Sequence, residues 1–127
     1  MNTRFEVVSY GKDTDIFKRI FDKIEDRVKT LEKVISCYNK FGEVYRINHE
    51  QPVQFFELSE ALMEIIRRCE SYKLKTNGCF DYCFPDKFVY DKELMLSKSG
   101  SEKIEISSRQ FRFTDTGFAL DFGAIGK

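Results

Sequence analysis

The sequence has little of several features that would assign a protein class at once. It contains no tryptophan, two prolines and one histidine. Lys plus Arg equals Asp plus Glu at 21 residues each, so no net positive charge attracts a nucleic acid or an anionic membrane. No run of about 18 apolar residues could span a bilayer, and the N-terminus lacks the apolar core of a signal peptide. We therefore expect no nucleic-acid partner, no membrane span and a cytoplasmic location for the chain as written.

The amino-acid composition is typical of a folded domain. Of the 127 residues, 42% are hydrophobic and 15% are aromatic, and thirteen are phenylalanine. A chain of this length can bury roughly two-thirds of the surface that its unfolded form exposes. We expect residues 1–127 to form a single domain.

Four cysteines raise the questions of disulfides and of a zinc site. They are Cys37, Cys69, Cys79 and Cys83, and no pair has CxxC spacing. The histidine, His49, is remote from them in sequence. Reduced and partly buried thiols are therefore the favoured interpretation over a structural zinc, and they suit a reducing compartment.

Two amphipathic helices are predicted. The first follows Asp13 as N-cap, and its apolar stripe runs from Ile16 to Ile35 with helical spacing. The second follows Ser59 as N-cap and ends at Asn77-Gly78, which can adopt left-handed backbone angles. Its expected buried stripe consists of Leu62, Ile65, Ile66, Cys69 and Tyr72.

Short alternating segments predict strands around these helices. Thr3 to Tyr10 reads as a first strand, and Val53 to Leu58 as an edge strand. We expect an antiparallel meander in the last quarter of the chain, from the segments Lys103 to Ser107, Gln110 to Thr114 and Phe118 to Phe122. Ser97 to Ser101 reads as a turn or flexible tip. Long helices packed on an antiparallel sheet make the expected fold α+β.

Three segments carry more polar and turn-forming residues than packing requires. Ile35 to Asn48 reads as a loop. In Thr76 to Phe84, Asp81 lies between aromatic residues, and its ordinary interpretation is a turn aspartate that caps a backbone group. In Gly117 to Lys127, a predicted strand leads into glycines and a lysine, a pattern that lets backbone N–H groups face a phosphate.

Taken together and in order, these segments resemble the ApbE family, with its patterns LSxYxxxSExxRxN, TxGxFD and DLGGIAKG. The residues that match the first pattern are Ile35, Ser36, Tyr38, Glu43, Arg46 and Asn48. Those that match the second are Thr76, Gly78, Phe80 and Asp81, and those that match the third are Asp121, Gly123, Ile125 and Lys127. Met1-Asn2-Thr3 is similar to the start of the family's first strand. The resemblance covers essentially the whole chain.

The resemblance implies an enzyme that uses FAD as substrate together with Mg²⁺. Such enzymes transfer FMN to a Thr or Ser hydroxyl of a target flavoprotein and release AMP, and some hydrolyse FAD instead. The implied fold is one half of a T-fold-like domain, and Ala124 matches the position whose backbone oxygen helps to hold the metal. The implied flavin contacts are Met1, Tyr38, Cys79, Phe80, Asp81, Asp121 and Lys127.

The departures from the family patterns are also informative. Gly42 stands where the family usually has Ser, Cys79 replaces a common Ala, and Ala124 and Gly126 replace Gly and Ala. The chain as written ends at Lys127, before the family's further metal-binding aspartate and threonine. We therefore expect the N-terminal portion of an FMN transferase, needing a partner chain or a C-terminal half, with no catalytic residue assigned. The alternatives are a non-catalytic flavin or nucleotide-binding module, a vestigial half-domain, and a purely structural domain.

Overall fold

A computed structural model describes residues 5–50, 54–85 and 100–125 of the chain. In this part of the chain, three helices and two antiparallel sheets confirm the α+β class. The helices are α1 (Thr14–Ile35), α2 (Glu43–Glu50) and α3 (Glu60–Lys75). The strands are β1 (Phe56–Glu57), β2 (Cys83–Pro85), β3 (Ile104–Ser107), β4 (Gln110–Phe113) and β5 (Phe118–Leu120).

Helix α1 begins as its sequence predicts. The side chain of Asp13 accepts hydrogen bonds from the backbone N–H groups of Asp15 and Ile16, at 3.1 and 3.0 Å. Its apolar stripe, however, contains no fully buried residue and packs against the core only towards the C-terminal end, through the partly buried Val34 and Ile35, where α1 meets α2 and α3. Ile16 and Ile20 near the N-terminal end are 53% and 50% exposed.

Helix α3 also has the expected ends. Ser59 Oγ accepts from the N–H of Leu62 at 3.2 Å. After the last turn, Asn77 and Gly78 take positive φ angles of 51° and 81°. The buried face contains Leu62, Met63, Ile66 and Cys69. Tyr72 is 49% exposed, so its assignment to the buried stripe is wrong.

Helix α2 corrects the prediction of a loop from Ile35 to Asn48. The chain turns through residues 36–42 and then forms two helical turns, of which Val44 and Ile47 are buried. Two apolar residues three positions apart are too few to reveal a helix as short as this one. A Cβ at Gly42 would lie 2.6 Å from the backbone oxygen of Lys33, so glycine lets the turn approach α1.

The strands form two separate sheets. In one sheet, β4 lies between β1 and β3, with Phe111 opposite Phe56 on one side and Ile106 on the other. In the other, β5 pairs with β2, and Phe84 lies opposite Ala119. The third strand of the predicted meander is therefore misplaced. A tight two-residue hairpin would hold β5 beside β4, whereas the longer turn through residues 114–117 carries it away.

Two further local predictions differ from the structure. The described part of the predicted first strand, Phe5 to Tyr10, has no regular secondary structure. Gly100 and Ser101, expected in a turn or flexible tip, do lie in a 3₁₀ turn (Gly100–Lys103), but both are buried. The rest of that predicted tip, Ser97 to Ser99, lies outside the described residues.

One hydrophobic core joins both sheets to α2 and α3. Its largest fully buried side chains are aromatic, namely Tyr82, Phe111, Phe113 and Phe122. None of the helices in the described ranges is long and apolar enough to cross a membrane.

Candidate active site

The first motif attaches α2 to its neighbours. The carboxylate of Glu43 accepts hydrogen bonds from Ser59, through the backbone N–H at 2.7 Å and the hydroxyl at 2.5 Å. The guanidinium of Arg46 lies over the ring of Phe56 at 4.4 Å from its centroid. These two motif residues therefore stabilise the N-terminus of α3 and the edge strand β1.

Asn48 joins the first motif to the third. Its Nδ2 donates to the backbone oxygen of Leu120 at 2.9 Å, and its Oδ1 accepts from the N–H of Leu120 at 2.7 Å. The side-chain amide thus pairs with the end of β5 as a neighbouring strand would. The contact fixes the backbone immediately before Asp121.

The second motif meets the third one residue further along. The N–H of Asp121 donates to the oxygen of Tyr82 at 2.9 Å, and the rings of Tyr82 and Phe122 stack with their centroids 5.7 Å apart. Asp81 and Asp121 therefore lie on adjoining segments of backbone, although 40 positions separate them in sequence. Their position relative to the ring of Tyr38 stays a prediction.

The carboxylate of Asp81 organises the turn that contains it. Its Oδ1 accepts from the N–H groups of Tyr82 and Cys83 at 2.7 and 3.1 Å. Its Oδ2 accepts from the hydroxyl of Ser101 at 3.0 Å, and the ammonium of Lys73 donates to that same hydroxyl. These contacts agree with the interpretation of Asp81 as a capping aspartate, and they leave its predicted flavin contact untested.

The third motif forms a turn after β5. Asp121 Oδ1 accepts from the N–H of Gly123 at 2.8 Å, and the N–H of Ile125 donates to the oxygen of Phe122 at 3.0 Å. Gly123 and Ala124 are exposed. The turn therefore exposes its backbone at Gly123 and Ala124, although the N–H groups of Gly123 and Ile125 already donate within the turn.

A cleft of about 330 Å³ lies between α3 and this turn. Its volume is at the lower end of the range for ligand pockets. Phe80 of the second motif and Ala124 of the third both line it, and the N–H of Phe80 donates to Thr76 Oγ at 3.0 Å. The full lining consists of Arg68, Tyr72, Thr76, Phe80, Ala124 and Ile125.

The motifs that meet around this cleft agree with the comparison to known families. The family model described as the ApbE family matches residues 1–127, which is the whole chain. The chain belongs to the ApbE family. A comparison with curated proteins finds none that matches the chain. Membership of the ApbE family supports a flavin-related transferase function in general terms.

Ionisable groups in the core of this ApbE chain are held in their neutral forms. Burial raises the pKa of the Cys83 thiol to about 12, with Asp81 contributing in the same direction. Burial, and then the neighbouring Glu70, raise the pKa of the Cys69 thiol to about 12. Burial also raises the pKa of Tyr82, whose hydroxyl donates to Glu70 Oε1 at 2.6 Å. These two thiols are unsuited to nucleophilic roles, because the thiolate is the nucleophile.

The described part of the ApbE chain does not provide a complete Mg²⁺ site. Its His, Cys, Asp and Glu side chains include no group of three or more that could hold a metal ion. Mg²⁺ requires near-octahedral oxygen coordination, to which Ala124 would add a single backbone oxygen. The donors present therefore do not fit the metal by themselves.

The remaining predicted contacts either do not line the cleft or lie outside the described residues. Tyr38 lies in the turn between α1 and α2 and is 78% exposed. Cys79 is an exposed free thiol next to Phe80. Met1 and Lys127, together with Gly126, lie outside the described residues.

Sequence reasoning missed the contribution of α3 to the cleft. The expected buried stripe of α3 included Tyr72, and no role was predicted for Arg68. Spacing could have revealed them, because positions 68, 72 and 76 follow one another on a single helix face and Thr76 belongs to the second motif.

Proposed function

We propose that this chain is part of a Mg²⁺-dependent FAD:protein FMN transferase. FAD is its substrate, a Thr or Ser hydroxyl of a target flavoprotein is the acceptor, and AMP is released. In this proposal, residues 1–127 are the N-terminal portion of the domain and contribute part of the site. The observation that carries the proposal is the cleft at which Phe80 and Ala124, from two separate ApbE motifs, lie together.

The chemistry of the cleft suits a dinucleotide. Phe80 presents an aromatic ring that can pack against a heterocycle, with Tyr72 in edge-to-face contact at 6.3 Å between centroids. The exposed turn from Asp121 to Ile125 places Ala124 at the cleft, where its backbone can approach the pyrophosphate. Asp81 stabilises the turn that positions Phe80. In this arrangement the chain binds and orients FAD.

The transfer itself needs groups beyond those described. The acceptor oxygen forms a bond to the phosphorus of the FMN portion, the bond from that phosphorus to the AMP oxygen breaks, and the hydroxyl loses its proton. Bound Mg²⁺ would stabilise the charge that develops on the phosphate oxygens. Among the described residues the backbone oxygen of Ala124 is the candidate ligand, and the further ligands would come from a partner chain or C-terminal half of an ApbE domain.

A transfer assay tests this proposal. FAD, Mg²⁺ and a Thr-containing acceptor are incubated with residues 1–127, and with the same residues extended by an ApbE C-terminal half. We expect covalent flavin on the acceptor and AMP in solution only for the extended protein. The isolated chain should be slower by about a hundredfold or more, because metal stabilisation is missing. Robust Mg²⁺-dependent transfer by residues 1–127 alone would overturn the proposal that the site is shared with a partner chain or C-terminal half.

One alternative is a non-catalytic flavin-binding or nucleotide-binding module, which shares with the proposed transferase portion the lack of a three-ligand group among the described residues. Such a module would bind FAD but would release no AMP in either form of the assay. AMP release by the extended protein excludes it, and FAD binding without AMP release in both forms favours it.

A further inference from the structure

We propose that α3 contributes two FAD contacts to the cleft, Tyr72 to a ring of the dinucleotide and Arg68 to its pyrophosphate. This inference rests on the proposed function, because it concerns the same substrate. Neither residue belongs to the matched motifs. Both line the cleft together with Phe80 and Ala124.

Helix geometry places the two residues appropriately. Arg68, Tyr72 and Thr76 are four residues apart, so they lie on one face of the helix on successive turns. Neighbours at this spacing have Cβ atoms about 5 to 6 Å apart. With a ring of FAD against Tyr72, the phosphate joined to that ring through its ribityl chain or ribose would be near the long, flexible side chain of Arg68 one turn away.

Tyr72 has the features of a stacking platform. The side chain is 49% exposed although it is large and aromatic, and Phe80 meets it edge to face. The ammonium of Lys75 lies 5.5 Å from the centre of the Tyr72 ring and adds positive charge nearby. A planar heterocycle linked to a phosphate suits both the aromatic ring and the positive charge of this surface. In FAD the isoalloxazine is linked to the pyrophosphate through its ribityl chain and the adenine through its ribose.

The guanidinium of Arg68 has N–H donors that can bind a phosphate. Its Nη2 donates to Glu64 Oε1 at 2.6 Å, and this ion pair is well exposed, with 67% and 63% of the two side chains accessible. A guanidinium has five N–H donors, and its planar fork matches the oxygens of a phosphate. An exposed ion pair of this kind contributes little to stability, so binding a phosphate at Arg68 costs little.

The neighbouring Arg67 provides a matched control. It has the same charge on the same helix but lines a different surface cavity, of about 600 Å³, together with Met63 and Ile66. Replacing either arginine with glutamine changes the net charge equally. A difference between Arg68→Gln and Arg67→Gln therefore reports position and not overall charge.

The test is a set of titrations on the 127-residue chain with FAD, riboflavin and AMP, followed by flavin fluorescence or calorimetry. Urea unfolding of each variant checks its folding. We expect Arg68→Gln to weaken FAD binding by about threefold to tenfold, and to leave riboflavin, which has no phosphate, unchanged. Arg67→Gln should bind FAD like the wild type. Tyr72→Ala should weaken FAD binding by about fivefold or more, and Tyr72→Phe should restore it.

Each outcome decides the inference. A loss of riboflavin binding in Tyr72→Ala identifies the flavin ring as the partner of Tyr72, and a loss of AMP binding identifies the adenine. FAD binding by the wild type with equal affinities in Arg68→Gln and Arg67→Gln overturns the role of Arg68 but leaves the proposed function standing. Wild-type affinity in a folded Tyr72→Ala variant overturns the role of Tyr72. A wild-type chain that binds no FAD overturns this inference, whereas the proposed function is overturned only by the transfer assay on the extended protein.

Discussion

The ApbE pattern and the local geometry imply different roles for Asp81. The pattern treats this aspartate as a flavin contact, whereas the fold uses both of its oxygens as acceptors for the surrounding turn and for Ser101. A carboxylate held by several donors is well oriented. The same contacts therefore stabilise the turn and fix the position of Phe80.

We predict that Asp81→Ala lowers the free energy of unfolding by about 2 kcal/mol. The change removes the acceptor for two backbone N–H groups and for the hydroxyl of Ser101, and buried donors without partners are costly. Urea denaturation measures the loss. The control is Asp22→Ala on the exposed face of α1, which should change stability by less than about 0.5 kcal/mol. Equal stabilities of the two variants would exclude the capping role.

We predict that Tyr38→Ala weakens FAD binding by about 1 to 3 kcal/mol. The ring is 78% exposed and matches the family's first pattern, and stacking of an aromatic ring on a base contributes this much. Flavin fluorescence titration measures the affinity. Tyr10→Ala, which removes a ring that is 98% exposed outside the motifs, is the control. Identical FAD affinities of the wild type and Tyr38→Ala would make Tyr38 an ordinary surface aromatic.

At the scale of the elements, contacts that look functional in the sequence hold the fold together. Glu43 caps α3 through Ser59, and Asn48 pairs with the end of β5. The 3₁₀ turn from Gly100 to Lys103 packs on β2. These contacts bring the three sequence motifs into one region of the fold. Their occurrence together in the sequence therefore reflects a shared structural role.

We predict that Gly100→Ala lowers the free energy of unfolding by at least about 2 kcal/mol. A Cβ at this position would lie 2.0 Å from the backbone oxygen of Cys83, so the turn or β2 must move. Urea denaturation measures the change. Gly11→Ala is the control, because its Cβ would make an ordinary contact at 3.6 Å with the hydroxyl of Ser9. A fully stable Gly100→Ala variant would contradict the close packing of Gly100 on β2 and would favour an exposed tip at this segment.

The sequence predicted those elements whose signals are local. Asp13, Ser59 and the Asn77-Gly78 pair mark helix ends because capping and left-handed backbone depend on neighbouring residues alone. The pairing of β5 with β2 could not be read in the same way, because residues 83–85 and 118–120 are far apart in sequence. The contribution of Tyr72 to the cleft was missed for a similar reason, since its exposure depends on what packs against α3.

At the scale of the whole molecule, the core beneath the polar site contains ionisable side chains that stay protonated. The thiols of Cys69 and Cys83 and the phenol of Tyr82 are fully buried beneath the second motif. Their raised pKa values mean that the folded protein keeps protons that the unfolded chain releases at high pH. Stability is therefore coupled to pH on the alkaline side.

We predict that stability falls as the pH rises above about 9, the ordinary thiol pKa in the unfolded chain. Between there and the folded-state pKa of about 12, the unfolded state binds fewer protons, so each buried thiol lowers the free energy of unfolding by up to about 1.4 kcal/mol per pH unit. Urea denaturation between pH 8 and pH 10.5 measures the slope. Cys83→Ala should reduce the slope, and an unchanged slope would show that this thiol does not contribute.

Binding of FAD at the cleft between the second and third motifs is the claim on which the functional account depends. The direct measurement is titration of the 127-residue chain with FAD, for the wild type, for Phe80→Ala and for Phe5→Ala, which removes an exposed ring outside the cleft. The account predicts saturable binding that weakens by about fivefold or more in Phe80→Ala and is unchanged in Phe5→Ala. The absence of saturable binding by the wild type up to about 1 mM FAD, or equal affinities of all three proteins, would contradict it.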